Sequence, residues 1–143
     1  IYLLKQSGKL LDVPVFLNSP MSVNTMAIYC DYKSEHKLGV EDCAGMCDVA
    51  KYIRTVEESK NLNERSGPMV IISASGMLTG GRVLHHLKAF APDPKNTILL
   101  SGYQAIGTRG AALLQGAKSV KIHGQQVPIH AEVAQISNMS AHA

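Results

Sequence analysis

Residues 67–116 read GPMVIISASGMLTGGRVLHHLKAFAPDPKNTILLSGYQAIGTRGAALLQG, and the architecture follows from their pattern. Residues 69–73 are an apolar, β-branched run set between Gly67-Pro68 and a string of small residues, which predicts a buried strand. Residues 74–81 are small and glycine-rich. Val83, Leu84, Leu87 and Phe90 then recur at three- and four-residue spacing, which predicts a helix over 82–90 that Pro92 and Pro94 stop. The pattern repeats with a strand at 97–101, a glycine-rich loop at 102–110 and a helix at 110–114 closed by Gly116. Strand, loop and helix twice over imply right-handed βαβ crossovers and parallel pairing. The fold class expected is α/β, with three layers: a mainly parallel sheet, flanking helices and a C-terminal β-hairpin.

Upstream, residues 1–9 read as the tail of an amphipathic helix stopped near Gly8, and 13–17 as a short buried strand. Ser19 suits an N-cap and Pro20 a first helical position, opening a helix to about Tyr32. Residues 34–63 carry the weakest signal, with a strand expected at 51–56 and a short helix at 57–63. Downstream, 120–122 and 127–133 flank His123-Gly124-Gln125-Gln126 as the two arms of a hairpin, and Pro128 places the second arm at an edge or a bulge.

The chain has 143 residues, 45% of them hydrophobic and 17% charged, with a net charge of +3. That is one domain's worth of chain, and the composition excludes a disordered chain, a collagen-like repeat and a disulfide scaffold. No apolar run approaches the roughly 20 residues of a membrane-spanning helix. The small positive charge permits an anionic partner without requiring one. Three cysteines, Cys30, Cys43 and Cys47, with no secretory signal point to a reducing, cytoplasmic setting in which they are incidental thiols. The apolar start at Ile1-Tyr2-Leu3-Leu4 and the end at Ser140-Ala141-His142-Ala143 suggest a piece of a longer protein.

Both glycine-rich loops follow strands, the edge at which open α/β sheets bind ligands. Glycines such as Gly76 let backbone amides approach an anion, Ser75, Thr79 and Thr108 add hydroxyls, and Arg82 and Arg109 add charge. Tyr103 offers a face on which a base can stack. Neither loop matches an established phosphate-binding fingerprint, so tight turns built from small residues explain the glycines equally well. Of the histidines, His85 and His86 fall within the second-half helix, with one of them facing the core, and His36, His123 and His130 fall on loops or edges. His142, after the small Ser140-Ala141, is placed to face a site. No pattern of metal ligands is visible, and none is expected in this chain.

Together, PVFLNSPMSVNTMAIY at 14–29, SASGM and GGR at 73–82, GYQAIGTRG at 102–110 and SAHA at 140–143 resemble the β-CASP branch of the metallo-β-lactamase superfamily. The similarity is to the bacterial and archaeal RNA-processing members, themselves similar to the eukaryotic pre-mRNA 3′-end endonuclease. The resemblance implies a nearly complete β-CASP domain spanning 1–143, normally inserted in a metallo-β-lactamase domain that carries two zinc ions. The pair encloses a cleft for single-stranded RNA and hydrolyses phosphodiesters. His142 corresponds to the family histidine that contacts the scissile phosphate or protonates the leaving oxygen, and Ser140 to a phosphate-contacting serine. The zinc ligands fall outside this chain, which alone is expected to be inactive. Asn18 departs from the aspartate of many relatives. Expected partners are single-stranded RNA, the metal-binding domain of the same parent chain and a second copy in a homodimer, with no membrane. A non-catalytic RNA-binding module, or an α/β domain binding mononucleotides on the same loops, is the alternative from a different class.

Overall fold

The computed structural model describes residues 1–137 apart from 36 and 38. The chain divides into two compact units, Ile1–Ser73 and Ala74–Ala143. The fold is mixed α/β, with parallel strands, flanking helices and a late antiparallel hairpin, as the sequence pattern predicts.

In the first unit, α1 (Tyr2–Gln6) precedes β1 (Val15–Leu17), whose three residues are all buried. β1 is central, with β2 (Lys51–Tyr52) and β3 (Val70–Ile72) parallel on either side, in register Phe16 with Lys51 and with Ile71. Helix α2 (Pro20–Asp31) begins as expected: Ser19 Oγ accepts from the Ser22 amide at 3.3 Å, and Pro20 occupies the first turn, where its missing N–H costs nothing. A helix absent from the sequence expectation, α3 (Val40–Asp48), follows. The strand expected at 51–56 is two residues long because Thr55 caps α4 (Val56–Glu64). There Thr55 Oγ1 accepts from the Glu58 amide while Glu58 accepts from the Thr55 and Arg54 amides, a full capping box. Those amides hold the Glu58 carboxyl below its ordinary range. Phe16, Ile53 and Leu62 form the core, joined by Met69 and Ile71, and the Arg65 guanidinium lies 5.5 Å over the Phe16 ring.

The cysteines depart from expectation. Cys30, near the end of α2, and Cys47, near the end of α3, form a disulfide, and only Cys43 is a free, buried thiol. The bonded pair is 17 positions apart in the sequence, and the helix that brings them together is the one the sequence did not announce.

The second unit holds α5 (Val83–Phe90), β4 (Thr97–Ser101), α6 (Arg109–Leu114), β5 (Ser119–Ile122), β6 (Gln125–Pro128) and β7 (Glu132–Ile136). β5 and β6 make the hairpin, turning at His123 and Gly124 with φ of 47° and 80°, the left-handed pair a two-residue turn requires. The hairpin's expected second arm is in fact two strands. After Pro128 the His130 and Ala131 amides both donate to the Ala91 carbonyl, which ends β6 and redirects the chain. β7 then lies parallel to β4, Thr97 opposite Glu132. β3 pairs with β1 and β4 with β7, so the two repeats of the sequence pattern each find a separate partner. The core gathers Leu78, Ala91, Leu100, Leu113, Val120, Ile122, Val127 and Ile129 with Leu84 and Leu87 of α5. Among the described residues, no helix is long and apolar enough to cross a membrane.

Candidate functional site

All the candidate residues from Ser75 to Arg109 belong to the second unit. The first loop is fixed by its own hydroxyls: Ser75 Oγ lies 2.9 Å from Thr79 Oγ1 and accepts from the Thr79 amide at 3.2 Å. The turn closes with the Leu78 amide on the Ser75 carbonyl, and Leu78, at φ 56°, drives its side chain into the core. Gly81 needs its φ of 80°, and a Cβ there would stand 3.0 Å from the Ala74 carbonyl oxygen. Arg82 directly precedes α5.

The second loop is bonded to the first. Gln104 Nε2 donates to the Gly76 carbonyl at 3.1 Å, and the Gly110 amide donates to the Met77 carbonyl at 3.1 Å. Thr108 caps α6, accepting from the Ala111 amide at 3.2 Å and donating to the Ala105 carbonyl at 2.6 Å. Arg109 is a brace across three segments: Nε donates to the Lys121 carbonyl at 2.7 Å, and Nη1 to the Leu78 and Thr79 carbonyls at 3.0 and 3.4 Å. Its Nη2 edge has no partner among the described residues. A guanidinium held flat by backbone carbonyls retains a donor pair for an anion on that edge.

These bonds bring Thr79, Thr108 and Arg109 to one open groove, together with Gly107, Ala112, Ser119, Val120 and Lys121. Ser75, Gly76, Arg82 and Tyr103 do not line it. Tyr103 is exposed, with its ring available for stacking. Ser140 and His142 lie outside the described residues. Sequence reasoning missed Ser119, Lys121 and Gln104. The first two were findable: β5 alternates exposed and buried, so Ser119 and Lys121 share the outer face opposite Val120 and Ile122.

Of the two adjacent histidines, His86 is the core-facing one, 6% exposed and stacked toward Phe90, while His85 approaches His123 with ring centroids 4.9 Å apart. Burial, then the charges of His85 and Arg82, depress the His86 imidazole to about 4. It is a neutral packing group at neutral pH. Among the described residues no three His, Cys, Asp or Glu side chains gather as metal ligands. These residues do not fit the two-zinc centre that the resemblance implies for the parent.

A family profile described as the Beta-Casp domain matches residues 1–113. Ribonuclease TTHA0252 of Thermus thermophilus is 37% identical over 154 residues, covering 100% of this chain and 35% of the relative. An RNase J-like protein of Methanocaldococcus jannaschii is 36% identical over 138 residues, covering 96% and 32%. Transcription termination factor FttA of Thermococcus kodakarensis is 30% identical over 144 residues, covering 93% and 22%. The chain thus spans about a third of the length of the first two relatives and less of the third. The loops bonded through Gln104 and Arg109 carry two of the motifs that resemble β-CASP proteins, and the profile covers most of the chain: the protein belongs to the Beta-Casp domain family.

Proposed function

We propose that residues 1–143 are the nearly complete β-CASP domain of a longer, cytoplasmic, metallo-β-lactamase-fold ribonuclease, and that they cap its single-stranded RNA substrate. The observation that carries this reading is the alignment of the whole chain with one third of a protein named as a ribonuclease. The two zinc ions implied for the parent would sit on ligands outside this chain and would supply Lewis-acid chemistry for phosphodiester hydrolysis. This chain's residues position the RNA. Thr79, Thr108 and the free edge of Arg109 meet phosphate along the groove, Ser75, Gly76 and Arg82 extend that contact, and Tyr103 stacks on a base. Ser140 holds the scissile phosphate, and His142 contacts it or delivers a proton to the leaving oxygen, a task suited to an imidazole near neutral pH.

In the full-length parent, His142→Ala lowers turnover by about 10²–10⁴-fold while RNA binding persists. Unchanged turnover removes His142 from the reaction. Titrating this chain with short single-stranded RNA and with ATP tests the binding role: RNA binding supports it, and binding of ATP alone overturns it.

A further inference from the structure

The second half of helix α2 is lightly packed. The helix has twelve residues, and Val23, in its first turn, is the one fully buried among them. Among residues 24–31 none is fully buried: Met26, Tyr29 and Cys30 are half-buried, and Ile28 is 61% exposed. Packing of an apolar face supplies most of a helix's stability in a protein, and an isolated segment this short is marginal in water. The second half of α2 therefore depends on whatever ties it to a neighbour.

That neighbour is α3, and α3 is anchored independently. Tyr2 Oη donates to Asp42 Oδ1 at 3.1 Å, and the Tyr2 ring fills the space beside Gly45 so closely that a Cβ there would collide with it. Tyr52 Oη donates to the Cys47 carbonyl at 2.6 Å, and Cys43 is fully buried. The Cys30–Cys47 disulfide joins the end of the weakly packed helix to the end of the anchored one. Both bonded cysteines are partly exposed, whereas Cys43 is buried.

We infer that the Cys30–Cys47 bond is a redox-operated latch on the second half of α2. Oxidised, it pins residues 24–31 to α3; reduced, it lets those last two turns fray while α3 and the sheet stay in place. The reductant is a dithiol. One of its thiolates attacks the Cys30 or Cys47 sulfur, the protein S–S bond breaks, and the departing cysteine thiolate takes up a proton. The dithiol's second thiolate then resolves the mixed disulfide, releasing the other cysteine as a thiol. The cystine gains two electrons and two protons, and the dithiol becomes a disulfide. This latch is independent of the proposed RNA role.

The test is amide hydrogen exchange on the intact chain in oxidised and then reduced dithiothreitol, with alkylation and mass measurement to count thiols. Reduction is expected to add two alkylatable cysteines and to speed exchange in residues 24–31 at least tenfold. Exchange in 15–17 and 97–101 is expected to stay unchanged. Cys30→Ser reproduces the reduced pattern in oxidising buffer, and Cys43→Ala keeps the latch. Should Cys30→Ser fail to fold, the wild-type chain alone carries the test. Cys30 and Cys47 alkylating freely without reductant, a bond that survives excess dithiothreitol, or reduction that leaves exchange in 24–31 unchanged would each overturn the inference.

Discussion

Gln104 occupies the space into which a side chain at Gly110 would grow. A Cβ on Gly110 would collide with Gln104 Oε1 and stand 3.3 Å from the Met77 carbonyl oxygen. Gly110 thus suits close packing: its amide reaches Met77 while the Gln104 amide group reaches Gly76, and an added Cβ would force the Gln104 side chain to shift. Gly110→Ala is expected to destabilise the chain by about 1–3 kcal/mol in denaturant unfolding. Gln104→Ala in the same chain relieves the collision, so the double variant is expected to be more stable than the sum of the two single changes. Strict additivity would show that the two residues do not meet.

Arg109 contributes to stability and, on the proposed reading, to RNA affinity, and the two effects separate by experiment. Arg109→Ala deletes three donated bonds to backbone carbonyls. A loss of roughly 2 kcal/mol is expected by thermal or urea unfolding. Arg109→Lys retains the charge but cannot bridge the three segments, and is expected to lose most of that stability too. If the guanidinium also meets a phosphate, Arg109→Ala reduces the slope of log affinity against log salt by about one unit. An unchanged slope would leave Arg109 as a brace alone.

His86 makes stability depend on acid. Its folded imidazole titrates at about 4, while the unfolded chain takes up the proton near the ordinary 6.5. The contribution is intact above pH 6.5 and is lost as pH falls from 6.5 toward 4, at about 1.4 kcal/mol per pH unit. His86→Leu is expected to flatten the unfolding free energy across that window by one proton. The same slope in wild type and variant would assign the acid sensitivity elsewhere.

Asn18 and Ser59 form a buried polar pair, Asn18 Nδ2 donating to Ser59 Oγ at 2.8 Å, and Asn18 is fully buried. The Asn18 amide also donates to the Ile72 carbonyl, and its own carbonyl accepts from Ser73 Oγ at 2.8 Å. Asn18→Leu strands the Ser59 hydroxyl and is expected to cost about 1–3 kcal/mol. A double-mutant cycle with Ser59→Ala measures the coupling, expected near 1 kcal/mol. A coupling of zero would mean the bond contributes nothing.

The strands and the loop-to-helix junctions were legible because local chemistry sets them: Ser19 and Thr108 cap the helices they precede, a β-branched run marks β3 and a short apolar run marks β4. Helix α3 was not, since Gly45, Cys43 and Cys47 blur its period and its anchors, Tyr2 and Tyr52, are distant in the chain. The single arm expected at 127–133 is broken in the fold because the separation of β7 from β6 depends on the Ala91 carbonyl, some forty residues upstream of His130 and Ala131. The candidate loops were named from composition, but what joins them was hidden. Arg109 looked like a free cation in the sequence, and its bonds to Leu78, Thr79 and Lys121 exist only after the loops and the hairpin have met.

The parallel pairing of β4 with β7 has a consequence for synthesis. Thr97 and Glu132, opposite one another in that pair, lie 35 residues apart, with α6 and the whole hairpin between them. The first unit has all its strands once Ile72 has left the ribosome. The second cannot complete β4 until Ile136 has emerged, and in the interval the β4 edge that β7 covers is unpaired. On a growing chain the two units therefore mature in sequence, and translation leaves the second one open the longest.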